Sequence, residues 1–191
     1  MSATIKSINR SEDGNMAIEF ATLGGGRFWV TEAVYQQIRG IKSVQSGYMG
    51  GLTEFPSYEE VCSGESGHAE VVRIQFDSSV ISYRHLLDVF FTIHEPQQIS
   101  ATEDKITAPL RSVIFAHNHE QKAQAQDAIK RSERYADFKL GTEVQMCAEF
   151  YPAEDAHQNF FKNNRYDAYC KEFIVPKILL SRDLFKKRLA A

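Results

Sequence analysis

The sequence predicts an α+β fold, a two-layer sandwich of helices on a mixed β-sheet. Three observations carry this expectation. Val72, Ile74 and Phe76 alternate as in a half-buried strand. Leu86, Leu87 and Phe90, and later Ala123, Ala125 and Ile129, recur near helical spacing. Helical and strand-like segments interleave along the chain, the pattern of helices laid over a sheet.

Taken in order, Ala17 to Ala21 is short and mixed, and no element is assigned to it. After Gly24-Gly25-Gly26 a helix is expected from about Trp29 to Ile38, with Val30, Ala33, Val34 and Ile38 near one face. Gly40 stands where a left-handed C-terminal cap belongs. Ser43 to Tyr48 reads as a strand, and residues 52–69 as a long loop rich in Gly, Ser and Pro. A strand begins at Glu70 and closes at Asp77-Ser78-Ser79. Ser82 can cap a helix running to about His94. A loop with Pro96 and Pro109 leads to a strand around Val113 and Phe115. Residues 119–134 form a charged surface helix with Ala123, Ala125 and Ile129 inside. Val144, Met146 and Ala148 suggest a strand, and Ala153 to Asn163 a helix. The stretch Ile174 to Leu189 mixes apolar residues with Lys and Arg, and is read as a terminal segment packed over the domain.

No internal repeat, low-complexity tract or Pro/Ser-rich linker divides the chain. One domain is expected over 17–170, with an N-terminal lead at 1–16 and an extension at 171–191. Hydrophobic residues make up 43% and aromatics 12% of 191 residues, enough for a proper core. The net charge of −3, from 22 basic and 25 acidic residues, gives no reason to expect nucleic acid or an anionic membrane as partner. Three cysteines, Cys62, Cys147 and Cys170, are too few for a disulfide-stapled scaffold. The first 19 residues lack the apolar core of a signal peptide, and no stretch reaches the ~20 apolar residues that span a bilayer. A cytoplasmic monomer is expected. The six histidines are dispersed apart from His117-Asn118-His119, and Cys-x-x-Cys pairs are missing, so no metal and no cofactor is expected.

The most informative stretch is Gly24-Gly25-Gly26-Arg27-Phe28-Trp29. Glycines before a helix permit a tight turn with positive φ and expose the first helical N–H groups. Such N–H groups attract anions and stabilise a thiolate or oxyanion.

In this stretch the chain resembles the A-type peptide methionine sulfoxide reductases, whose hallmark is Gly-Cys-Phe-Trp at a helix N-terminus. The resemblance continues in Gly47-Tyr48-Met49-Gly50-Gly51, then from Pro56 to Gly64 and from Gly67 to Val72. It returns at His94-Glu95-Pro96, Arg111-Ser112 and Phe150 to Gln158, and covers roughly residues 21–170. It implies a ferredoxin-like core. It also implies a mechanism: a cysteine thiolate attacks the sulfoxide sulfur, and a protonated Glu gives its proton to the oxygen. Phe and Trp hold the methyl group and tyrosine hydroxyls hold the oxygen. A sulfoxide is a poor electrophile until its oxygen is protonated, so the acid needs a raised pKa.

Carried over residue by residue, Phe28, Trp29, Tyr58 and Glu70 are present as the substrate-binding set, with Glu70 as the retained acid. The nucleophile is absent, because Arg27 stands at its position. A guanidinium stays protonated and cannot attack sulfur. Val30 replaces the glycine after Trp, and Lys105 and Leu110 stand where the family has Asp and Tyr; a one-residue slip would bring Asp104 in place of Lys105. The resemblance therefore implies a family member without thiol-based reductase activity, retaining a methionine-sulfoxide-like ligand or a protein partner. Two alternatives stay open: an active reductase or other oxidoreductase using a different cysteine, and a scaffold whose pocket is filled. Arg27 is expected either to pair with Glu70 or to turn into solvent. Cys62 is expected as a buried scaffold residue, Cys147 inside a strand, and Cys170 as a relic or a free surface thiol. His157 is read as a structural helix residue.

Overall fold

The computed structural model describes residues 17–94, 96, 109–136 and 138–189, with backbone alone from 185 to 189. The chain runs β1 (Ile18–Gly24), α1 (Phe28–Tyr35), β2 (Ile41–Met49), α2 (Tyr58–Cys62), β3 (Ala69–Asp77) and α3 (Tyr83–Ile93). It continues with β4 (Val113–Ala116), α4 (His119–Glu133), β5 (Glu143–Met146), β6 (Phe150–Pro152) and α5 (Phe160–Asn163). A π-helical turn, Cys170–Ile174, then leads into α6 (Val175–Leu189). The lead at 1–16, Glu95, Asp104 and Lys105 lie outside the described residues.

One six-stranded sheet has the order β5-β4-β1-β3-β2-β6. Its inner four strands pair antiparallel with one another, and α1 and α3 follow β1 and β3. That is the ferredoxin-like arrangement, extended by β5 parallel to β4 and by β6 antiparallel to β2. The sheet is mixed, as the sequence predicts.

The pleat sorts the strand residues between two apolar clusters. Ala21, Leu23, Val72, Ile74 and Phe76 face the helices and join Phe28, Leu86, Leu87 and Phe90 in the main core. Met49, Val71, Val113 and Phe115 form a smaller core on the other face. Burying each of the large side chains contributes about 1.5–3 kcal/mol. Helix α3 starts where Ser82 accepts the His85 amide, and packs against both α4 and α6. Helix α6 also packs on α1, with Ile178 and Ser181 buried.

Several elements depart from the sequence reading. β1, to which no element was assigned, is a central strand. Ala21 to Gly24 are buried on both faces, which erases the alternation that identifies a strand. Residues 52–69 hold helix α2 within the expected loop. Its start is fixed by a capping box, in which Ser57 accepts the Glu60 amide and Glu60 accepts the Ser57 amide. The expected helix over Ala153–Asn163 is a 3-10 turn, Asp155–His157, and a separate short α5. Asn159, at φ 53°, divides them in the left-handed region. In α4 the inner positions are Gln121, Ala125 and Ala128, while Ala123 is exposed and Ile129 only half-buried. Ala148 lies beyond the end of β5.

Candidate active site

The site forms where β1 turns into α1. Gly26 takes φ 77°, the left-handed conformation the turn needs. The glycines before it are there for space. A Cβ on Gly24 would stand 2.8 Å from the Glu70 carbonyl oxygen, and one on Gly25 would stand 2.8 Å from the Phe90 ring. The Gly26 amide donates to the Leu110 carbonyl at 3.2 Å, and the Glu70 amide to the Pro109 carbonyl at 2.7 Å, so residues 109–110 pin the turn to β3.

Arg27 occupies the N-cap position of α1, and its side chain caps nothing. The cap comes from across the sheet. Glu70, fully buried on the helix-facing side of β3, accepts the Phe28 amide at 3.1 Å through Oε2. Its other oxygen, Oε1, receives Arg27 Nη1 at 2.9 Å. Arg27 therefore turns inward and pairs with Glu70. The same Nη1 donates to the Tyr58 hydroxyl and lies 3.6 Å from Cys62 Sγ. The guanidinium carbon stands 5.8 Å from both the Trp29 and Tyr58 ring centroids, within cation–π range.

Burial pushes the Glu70 carboxyl above its ordinary pKa, while the Phe28 amide and the Arg27 guanidinium pull it back in part. Burial also works against charge on Arg27, but Glu70 and the neighbouring groups outweigh it and hold its pKa up. The result is a buried carboxylate that spends both oxygens on α1, one on its amide and one on its leading cation.

Aromatic side chains wall this group. Phe28 is buried; its ring lies 6.2 Å from Tyr58 and 5.9 Å from Tyr48. Trp29 stacks on Phe160 at 4.1 Å and meets the edge of Tyr169 at 5.6 Å. Its buried indole Nε1 has no hydrogen-bond partner among the described residues. A cleft of about 340 Å³ opens beside Arg27 between Gly26, Leu110, Tyr169 and Phe173. All four sequence-predicted pocket residues, Phe28, Trp29, Tyr58 and Glu70, thus meet around Arg27. Leu110 reaches the cleft as well.

Two further residues belong to this wall and were not placed at the site by the sequence reading. Glu154 accepts the Tyr48 hydroxyl and the Tyr58 amide, each at 2.7 Å, and so ties α2 to β2. Burial pushes its carboxyl up, but hydrogen bonds from its own amide, Tyr48 and Tyr58 together outweigh this and hold it below its ordinary value. His157 packs its ring 4.3 Å from Tyr58 and 5.7 Å from Phe28. It sits in the 3-10 turn, so the reading as a helix residue is corrected. The signal for both was the block Phe150 to Gln158, whose acid and imidazole lie three residues apart.

The cysteines differ from expectation. Cys62 is exposed at the C-terminal end of α2, beside Arg27, where a buried scaffold residue was expected. Cys170 is buried in the π-helical turn, so of its two expectations, relic or free surface thiol, the surface thiol is corrected. Cys147 is exposed just beyond β5 and not inside a strand.

Comparison with known proteins gives the same frame. The family model for peptide methionine sulfoxide reductase matches residues 19–188. The peptide methionine sulfoxide reductase MsrA of Polynucleobacter asymbioticus is 44% identical over 187 residues, covering 96% of this chain and 98% of that protein. The MsrA of Leptospira borgpetersenii is 48% identical over 161 residues, 84% of this chain and 92% of its own. Among solved structures, Mxr1 from Saccharomyces cerevisiae in reduced form superposes with a TM-score of 0.72 at 30% identity, covering 80% of this chain and 89% of that one. With the glycine turn, the aromatic wall and the buried Glu70 all in place around Arg27, this chain belongs to the peptide methionine sulfoxide reductase family.

Proposed function

We propose that this chain keeps the reductase scaffold, does not reduce sulfoxides through a thiol at the head of α1, and uses the site for binding. The observation that carries this reading is the Arg27 guanidinium lodged between Glu70 and Tyr58. It stands where the family chemistry needs a nucleophile, and it engages the carboxyl that would have to give up a proton. In this reading Arg27 is an internal occupant. A methionine-sulfoxide-like ligand, free or on a partner protein, displaces it, with its methyl group against Phe28 and Trp29 and its oxygen near Tyr58. Such a protein works where its three free cysteines stay reduced, which fits the cytoplasm.

The test is a dithiothreitol-driven assay on a methionine S-sulfoxide peptide, run beside a binding titration. Trp29 is the one tryptophan of the chain, so its fluorescence reports the pocket. The expected outcome is no turnover above buffer with a saturable change in Trp29 emission. Turnover that survives in Arg27→Ala would overturn the binding reading. Arg27→Cys alone is expected to return little activity, because Leu110 and Lys105 also depart from the family pattern.

One observation favours a second reading. Cys62 Sγ lies 3.6 Å from the guanidinium that contacts Glu70, so a thiol does reach the site. In this reading Cys62 attacks the sulfoxide sulfur and releases methionine. The resulting sulfenic acid takes two electrons from dithiothreitol. Turnover abolished by Cys62→Ser, with Trp29 binding intact, would establish it in place of the first.

A further inference from the structure

On the face of the sheet opposite Arg27, three soft donors from distant parts of the chain converge. Met49 ends β2, His117 follows β4 and Cys147 follows β5. Cys147 Sγ lies 4.0 Å from Met49 Sδ and 3.8 Å from His117 Nε2. These are poor hydrogen bonds, since thiols donate weakly and thioethers accept weakly. A metal centre suits these two separations, both taken from Cys147 Sγ, better. Donors bonded at roughly 2.0–2.3 Å to one ion and about 120° apart stand about 3.5–4.0 Å from each other.

We propose that Met49, His117 and Cys147 bind a soft monovalent cation, Cu(I). The donor set selects it. Thiolate and thioether sulfur favour Cu(I), and imidazole suits copper, whereas hard cations want oxygen. Among the described residues no three of His, Cys, Asp and Glu gather as a metal-binding group. The third donor here is a methionine, which zinc seldom accepts. Binding exchanges the Cys147 thiol proton for the metal, and the thiolate neutralises the charge of a monovalent cation. Cys147 is exposed and gives the ion an entry, while Met49 is fully buried and held in place by the smaller core. The Thr22 hydroxyl now lies 2.9 Å from His117 Nε2, and binding exchanges this contact for the metal bond.

The test is an anaerobic titration of the reduced full-length chain with Cu(I), in competition with the chromophoric chelator bicinchoninate. X-ray absorption on the loaded protein reads the donor atoms. The expected result is one Cu(I) per chain in a shell of two sulfurs and one nitrogen. Cys147→Ser, at an exposed position, and His117→Asn should each weaken binding by at least about tenfold, since loss of even an outer-shell partner of a metal ligand typically costs that much. Met49→Leu, close to isosteric in the core, should weaken it and leave a single sulfur in the shell. Cys62→Ser and Cys170→Ser should change nothing. Affinity unmoved by Cys147→Ser, or lost in Cys62→Ser, would refute the site. So would a shell without nitrogen.

Discussion

Replacing Arg27 by alanine tests whether the guanidinium truly counterbalances the buried Glu70. At 2.9 Å the gross attraction is about 6 kcal/mol for an effective dielectric of about 20. The net value is much smaller. Glu70 lost its hydration on burial, and the Arg27 side chain remains 35% exposed and screened. A net loss of about 1–2 kcal/mol near neutral pH follows, or roughly 2–8 °C in Tm for a chain of this size. The loss must also depend on pH in a fixed direction. Glu70 has a raised folded-state pKa, so its contribution is full at low pH and declines as pH rises through that value. Without Arg27 the pKa rises further and the decline deepens. The gap between Arg27→Ala and the parent should therefore close on acidification through the carboxylate range. Urea unfolding of Arg27→Ala, Glu70→Gln and the double variant, at neutral and acidic pH, reads this as a coupling energy. A coupling near zero at neutral pH, or a gap that widens in acid, would refute the pairing.

Other perturbations test the surrounding frame. Burial lowers the His94 pKa to about 4; the ring contacts the Phe90 carbonyl at 2.6 Å and Ser112 Oγ at 2.8 Å. The folded state therefore binds this proton later than the unfolded chain. Stability present above the ordinary histidine value should fall between it and pH about 4, by up to about 3 kcal/mol; His94→Gln should flatten that slope in thermal melts recorded against pH. Ser57→Ala removes one half of the capping box on α2 and should cost about 1 kcal/mol in denaturant unfolding. Gly25→Ala sets a methyl 2.8 Å from the Phe90 ring and 2.9 Å from the His94 ring, and should cost about 1–3 kcal/mol in the same assay.

How much of this was legible in the sequence depended on burial geometry. β3 and α3 were readable, because alternation or a helical stripe set inner residues against outer ones. β1 hid because a central strand covered on both faces has no polar side to mark it. α2 carried its signal, Ser57-x-x-Glu60, but five residues of helix leave no stripe to reinforce a cap. Asn159 broke the expected helix through a backbone angle that asparagine adopts but composition does not announce. At the site, the motif located Phe28, Trp29, Tyr58 and Glu70 in sequence. The direction taken by Arg27 was a choice between solvent and Glu70, and spacing alone does not decide it. The back-face trio of Met49, His117 and Cys147 had no spacing signature at all, because strand order alone brings the three segments together.

An inward-turned Arg27 also sets a threshold on recognition. Any visitor competes with a rival that is tethered to the site and never diffuses away. If seating that rival is worth about 1–2 kcal/mol, the open form is a minor population. The apparent affinity of a visitor then falls roughly 5- to 30-fold below its intrinsic value. Weak, promiscuous apolar groups are filtered out by this tax. A ligand that supplies its own partner for the Arg27 cation, such as an anionic group beside its apolar part, recovers much of it. On the proposed binding role, one side chain at the head of α1 would set this threshold, and a ligand that offers the guanidinium an acceptor, a sulfoxide oxygen or an anionic group, would clear it most easily.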